Sequence, residues 1–121
     1  MTKEEIVESL RNTRVFDGVH IRYTNSVSIN GYLIKKPYCV TLANGREVMY
    51  FKVVQVNRED YAMYECQVYA QTVKDELLKK KHVCIVNLLG RLVLMRNGFS
   101  NIQVEEIAIT NEFMNMNLLE N

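Results

Sequence analysis

A chain of 121 residues, 48% hydrophobic and 24% charged, is sized for one soluble globular domain that needs no disulfide or metal staples. No apolar run approaches the roughly 18 residues of a membrane-spanning helix. The acids Glu4, Glu5 and Glu8 stand where a secretory leader would carry basic and then apolar residues, so a cytoplasmic home is expected, with a net charge of +1.

Residues 2–13 (TKEEIVESLRNT) read as a helix, with Thr2 and Glu5 spaced as a capping box and Ile6 and Leu10 on one face. Residues 15–23 carry strand-type residues interrupted by Asp17-Gly18. From 25 to 33 the chain alternates: Val27, Ile29, Gly31 and Leu33 fall on one face, Ser26, Ser28, Asn30 and Tyr32 on the other. Lys35-Lys36-Pro37 ends this strand, and a short one follows at 38–42. Asn44-Gly45 marks a hairpin in which both turn residues tolerate positive φ, and residues 48–56 return. Asn57 to Asp60 make a short connection into a strand over 61–69, whose more polar face holds Tyr61, Met63, Glu65, Gln67 and Tyr69. Thr72, with Asp75 three residues on, reads as the N-cap of a helix running to about Lys80, with Val73 and Leu77 on its buried face. Residues 82–95 form an apolar strand in which Gly90 signals a bulge or bend. Asn97-Gly98 marks a second hairpin, and 99–109 return as the last strand. The expected fold is mostly β: a five-stranded OB-fold barrel with a helix between strands three and four, plus an N-terminal helical extension. The segments divide as an extension over 1–24, the barrel over 25–110 and a short tail over 111–121.

Charge is segregated along the chain. From Gly31 to Arg58 five cations (Lys35, Lys36, Arg46, Lys52, Arg58) face one acid, Glu47. From Lys79 to Gly98 there are five cations and no acid, and from Phe99 onward four acids and no base. Such segregation can make a local positive groove on a nearly neutral chain, although ordinary solvated surface would look the same. The three cysteines, Cys39, Cys66 and Cys84, lie far apart, and with His20 and His82 they form no zinc spacing, so buried reduced thiols are expected. Cys84 and His82 could face one way on a strand, but no third group orients them, and no glycine-rich phosphate loop is present. No metal, cofactor or catalytic residue is expected.

Four stretches taken together resemble the bacterial single-stranded DNA-binding proteins. NSVSINGYLIKKP (residues 25–37) is similar to that family's opening N-x-V-x-x-x-G-x-L stretch with its turn and proline. Asn44-Gly45 followed by 48–56 resembles its hairpin and returning strand. CQVYAQTVKDELLKKK (66–81) resembles its segment leading into the helix, and Gly90-Arg91-Leu92 with Val104 to Ile109 resembles its closing hairpin. The resemblance covers residues 25–109. Departures are a very short connection before Tyr61, a last hairpin clipped to Asn97-Gly98, the extra residues 1–24, and no disordered linker with an acidic, phenylalanine-ended tip. They suit a specialised relative, of the kind found in phages, plasmids or other mobile elements.

The resemblance implies sequence-independent binding of single-stranded DNA in replication, recombination or mobile-element transfer, by a non-enzymatic homo-oligomer (tetramer or dimer) open to replication or recombination proteins. Such binding needs cations for phosphates and aromatic faces for bases. Tyr69 stands where the family places a stacking aromatic. Tyr50 and Lys52 share one face of their strand and Tyr32 lies on the polar face of the first; each would meet a base or a subunit interface. Lys35, Lys36, Arg91 and Arg96 are the phosphate candidates. Phe51 and Tyr64 are assigned to the core. The alternative is an OB-fold protein-interaction module of a primosome-like or conjugative assembly, with Phe113, Met116 and Leu119 forming a docking helix or a frayed end. A more distant reading is an OB-fold enzyme subunit handling RNA or sugars.

Overall fold

The computed structural model describes residues 2–12 and 24–120. Its elements are α1 (Lys3–Asn12), β1 (Val27–Leu33), β2 (Tyr38–Thr41), β3 (Glu47–Asn57), β4 (Asp60–Val68), α2 (Gln71–Leu78), β5 (Cys84–Leu94) and β6 (Ser100–Thr110). The strand-type reading of residues 15–23 lies outside the described residues.

The strands run β1-β5-β6-β4-β3-β2, and β1 also pairs with β3, so the sheet closes on itself. Five strands make the barrel, and β2 extends one edge as a hairpin with β3. β1 lies along β5 from Val27 to Leu33 and touches β3 at Tyr32–Val54, so one short strand serves both neighbours. Closure on the far side is the parallel pairing of β4 with β6, limited to Cys66–Ile102 and Gln67–Gln103. With β1 and β2 read as one strand bent at Lys35–Pro37, α2 connects the third barrel strand to the fourth: the expected OB-fold connectivity.

Two glycines permit the tight curvature. β1 crosses toward β3 at Gly31, where an added Cβ would sit 2.7 Å from the Val54 carbonyl oxygen. At Gly90 it would sit 2.1 Å from the Gln103 carbonyl oxygen, and the β5–β6 register shifts between Leu89 and Gly90, the bulge that the sequence signals. Alternation sends Met49, Phe51 and Val53 inward from β3, Cys66 and Val68 from β4, and Cys84, Val86 and Leu88 from β5. Val73 and Leu77 of α2 plug one end of this core.

Local chemistry explains the element ends. The Glu5 amide donates to Thr2 Oγ1 at 3.1 Å, so Thr2 caps α1 as its spacing implies. Thr72 does not cap α2. The cap position is Ala70, with no side-chain cap hydrogen bond, and Thr72 sits inside the first turn, where Gln71 Nε2 bonds Asp75 Oδ1 at 2.8 Å instead. Both predicted hairpins form, but with a different turn. Only Gly45 (φ 84°) and Gly98 (φ 86°) take positive φ, while the Gly45 amide bonds the Leu42 carbonyl at 2.9 Å and the Gly98 amide that of Met95 at 3.0 Å. Each is a type I turn closed by a left-handed glycine. Asn44 and Asn97 each accept from the amide two residues on, at 3.0 and 2.9 Å. Asn25 spans β1 and β5: its Nδ2 donates to the Leu92 carbonyl (2.9 Å) and its Oδ1 accepts from the Leu92 amide (2.8 Å).

Residues 111–120 contain no helix. They run back over the barrel, the Phe113 amide bonding the Val83 carbonyl, the Val83 amide the Met116 carbonyl, and the Leu119 amide the Ile34 carbonyl, all at 2.8 Å. Leu118 is buried in the core.

Candidate nucleic-acid interface

Strand parity puts the even residues of β3 and the odd residues of β4 on the barrel's outer surface. Register then fixes neighbours: Tyr38 beside Tyr50, Tyr50 beside Gln67, Lys52 beside Glu65, Val54 beside Met63, Val56 beside Tyr61. Two troughs of about 510 Å³ each follow this face and share Met63. One, between β4 and the β5–β6 hairpin, is walled by Tyr38, Tyr50, Tyr64, Leu92 and Phe99. The other runs past Lys52, Val54 and Val56 to Lys35, Arg58 and Tyr61. The exposure of Tyr61 (68%) and Phe99 (74%) leaves large aromatic faces in water on a surface that already holds cations.

The eight predicted site residues do not all meet. Tyr50 and Lys52 sit at the centre of this face. Tyr50 packs against Tyr38, ring centroids 5.7 Å apart at 38°. Lys52 lies 3.5 Å from Glu65, which offsets part of its charge. Tyr69, just past the end of β4, carries the Arg46 guanidinium over its ring at 4.3 Å, so one of its faces is occupied by a cation from the β2–β3 turn. Lys35 walls the far trough. Arg96 is exposed at the β5–β6 tip beside Asn97 and Phe99. The other three lie apart. Tyr32 packs on Phe113, centroids 6.1 Å apart, half-buried against the core. Lys36 is ion-paired with Glu120. Arg91, reached from β4 only across β6, pairs with Glu105 at 3.8 Å.

Phe51 is in the core as expected; Tyr64 is not, at 37% exposure. Its parity does point inward, opposite Val53. However, β6 covers β4 only from Cys66 onward, so residues 60–65 run past the closed barrel and the inner face at Tyr64 stays open. The troughs also bring in Tyr38, Tyr61, Met63, Phe99 and Arg58, which are not among the predicted site residues. Tyr61 and Met63 were legible as the polar-side face of an alternating strand. Arg58 stands in the basic stretch of the sequence, but only the structure singles it out, where its φ of 39° is unusual for a residue with a side chain. The two-residue loop Arg58–Glu59 forces that conformation and points the chain back along the trough.

All three cysteine thiols are raised above their ordinary value. Burial, then the Glu65 charge, pushes Cys66 up to about 12. Burial also raises Cys84, with Glu112 adding to it. Cys39 departs from the expected buried thiol: it is exposed on the short strand β2, where slight desolvation and then Glu47 raise it. Lys74 on α2, 4% exposed, is held by Glu47, its ammonium donating to the Glu47 carbonyl at 2.9 Å with the carboxylate at 3.4 Å. Among the described residues no three His, Cys, Asp or Glu side chains gather as a metal site, and no helix is long and apolar enough to cross a membrane.

No family model matches the sequence, and no curated protein does. Solved structures do. The mitochondrial single-stranded DNA-binding protein of S. cerevisiae superposes with a TM-score of 0.68 at 14% identity, over 76% of this chain and 99% of that one. A single-stranded DNA-binding domain from Synechococcus sp. gives 0.58 at 18% identity, over 73% and 98%. The Plasmodium falciparum protein of the same type, solved in complex with single-stranded DNA, gives 0.60 at 16% identity, over 77% and 100%. At these identities the likeness establishes the fold: the chain has the OB barrel of single-stranded DNA-binding proteins, as its sequence motifs implied.

Proposed function

We propose that this protein binds single-stranded DNA without reading its sequence, along the outer face of β3 and β4. The observation that carries the reading is the Tyr38–Tyr50 pair beside Lys52, on an OB barrel whose structural relatives include one solved with single-stranded DNA. Bases stack on Tyr50 and its neighbours, while Lys52, Lys35, Arg58 and Arg96 meet phosphates at the centre, far end and hairpin tip. Stacking contributes about 1–3 kcal/mol per base and accepts every base, because each has a π-face. Tyr69 stacks on its free side, its other face held by Arg46. Arg91, Lys36 and Tyr32 are secondary contacts on this reading.

The same reading makes the protein a binder and not an enzyme. Its raised thiol pKa values, which keep the cysteines protonated and poorly nucleophilic near neutral pH, support that. The expected setting is a cytoplasmic homo-oligomer, tetramer or dimer, acting on single strands in replication, recombination or mobile-element transfer. The chain has seven tyrosines and no tryptophan, so its own fluorescence reports stacking. Oligo-dT should quench it saturably at low salt, and the quench should fall in a Tyr38→Leu/Tyr50→Leu variant. Absence of quenching in the unaltered protein would sink the proposal.

One observation favours a second reading, the protein-interaction module. Lys52, Lys36 and Arg91 are each answered by a carboxylate, from Glu65, Glu120 and Glu105. A face of Tyr, Met and Val with balanced charges also suits a protein partner. A stable partner recovered from cells, together with no response to oligo-dT, would select this reading.

A further inference from the structure

The first helix leaves Ile6 and Val7 uncovered. Ile6 is 45% and Val7 38% exposed, and neither belongs to the core cluster. A helix of ten residues is marginal alone in water, so α1 needs a surface to pack on. The barrel offers one. A groove of about 390 Å³ is walled by Tyr32, Ile34, Val56, Val83, Phe113 and Met116, with Val56 and Met116 more than half exposed. Charge matches as well. Lys35, Arg58 and Lys81 stand next to this groove in the chain, exposed and without ion pairs among the described residues, while Glu4 and Glu5 on α1 are equally unpaired.

We propose that α1 of one copy seats in this groove of a second copy, reciprocally, giving a two-fold arm exchange. In its own chain the helix and the groove are both open. The barrel begins at Asn25, held to Leu92, at the opposite end of β1 from Ile34. Reciprocal exchange closes both apolar surfaces in one isologous assembly, and it doubles the buried area toward the roughly 1,200 Å² that a specific interface needs. Glu4 and Glu5 then meet Lys35, Arg58 and Lys81. The arm covers Val56 and draws on Lys35 and Arg58, which the nucleic-acid reading gives to the far trough, so arm and strand compete there; the test contains no DNA, so either reading can fail without the other.

The test is a disulfide trap. Ile6→Cys with Met116→Cys, in a Cys39→Ser background, should oxidise to a covalent dimer that neither single variant gives. A link within one chain, no link, or the same dimer from a single variant would overturn the proposal. Val56→Glu, at a position outside the core, should raise the dimer dissociation constant by at least roughly tenfold in sedimentation. Deleting residues 2–12 should leave a monomer. An unchanged mass in either variant, or a monomeric parent protein, also overturns it.

Discussion

Glu65 faces Lys52 at 3.5 Å in the middle of the proposed binding surface, and replacing it by Gln removes a negative charge from the path of the phosphates. A phosphate seated on Lys52 would lie roughly 6–7 Å from that carboxylate. Unit charges at that distance repel by about 0.6 kcal/mol in water and about 1.3 kcal/mol if the local dielectric is halved. The expected result is a tightening of single-strand binding by roughly three- to ninefold at low salt. The gain shrinks as ionic strength rises and the Debye length falls. Freeing Lys52 should also steepen the salt dependence, by up to about 0.7 in the log–log slope for one more phosphate contact on a single strand. Both side chains are a third or more exposed, so loss of the pair changes stability by at most about 1 kcal/mol and the folded population is unaffected. Anisotropy titrations of labelled oligo-dT against the parent and Glu65→Gln, at several salt concentrations, measure both quantities. Binding that is unchanged or weaker in Glu65→Gln at low salt would refute this geometry.

Tyr50→Ala should weaken oligo-dT binding by about 1–3 kcal/mol in the same assay, with little change in salt slope; an unchanged affinity would remove Tyr50 from the site. Arg58→Gly relieves the positive φ at Arg58, so thermal unfolding should show equal or higher stability, by up to about 1 kcal/mol, while binding weakens. A loss of both together would mean that Arg58 is structural. Gly90→Ala drives a methyl against the Gln103 carbonyl and should cost about 2–3 kcal/mol in denaturant unfolding; full stability would contradict the bulge geometry. Cys66, lifted from 9.0 to about 12, stabilises the fold fully below pH 9 and progressively less as pH rises from 9 to 12. The parent should therefore lose stability relative to Cys66→Ala over that window, with a limiting slope of about 1.4 kcal/mol per pH unit. Parallel pH profiles would contradict it.

The barrel was legible because its signals are local. Asn-Gly pairs, the alternation of 25–33 and the glycine within 84–94 each act over a few residues, and each marks what it was read to mark. Even the turn type was missed for a local reason: Asn44 and Asn97 use their side chains to accept from the amide two residues on, leaving positive φ to the glycine alone. What could not be read is what depends on partners distant in sequence. Tyr64 has inward parity, and only the short β4–β6 pairing leaves it open. Lys36 and Arg91 look like free cations until Glu120 and Glu105 are placed beside them. The spacing of Phe113, Met116 and Leu119 suggested a helix, but the backbone groups of Ile34 and Val83 compete for the same segment and leave it a single turn, closed by the Met116 amide on the Phe113 carbonyl, followed by isolated bridges. The candidate site was therefore partly visible: Tyr50, Lys52, Tyr69, Lys35 and Arg96 from the sequence, with Tyr61 on the face of an alternating strand, while Tyr38, Phe99 and Arg58 took their places only once the sheet was closed.

The most direct measurement is a competition titration by anisotropy, setting labelled oligo-dT against unlabelled single-stranded oligomers of mixed sequence and against duplex of the same length, at low and moderate salt. The account predicts tight binding of the single strands with little regard to sequence, weak binding of duplex, and affinity that falls as salt rises. Equal binding of duplex, or no binding of single strands at low salt, would contradict it.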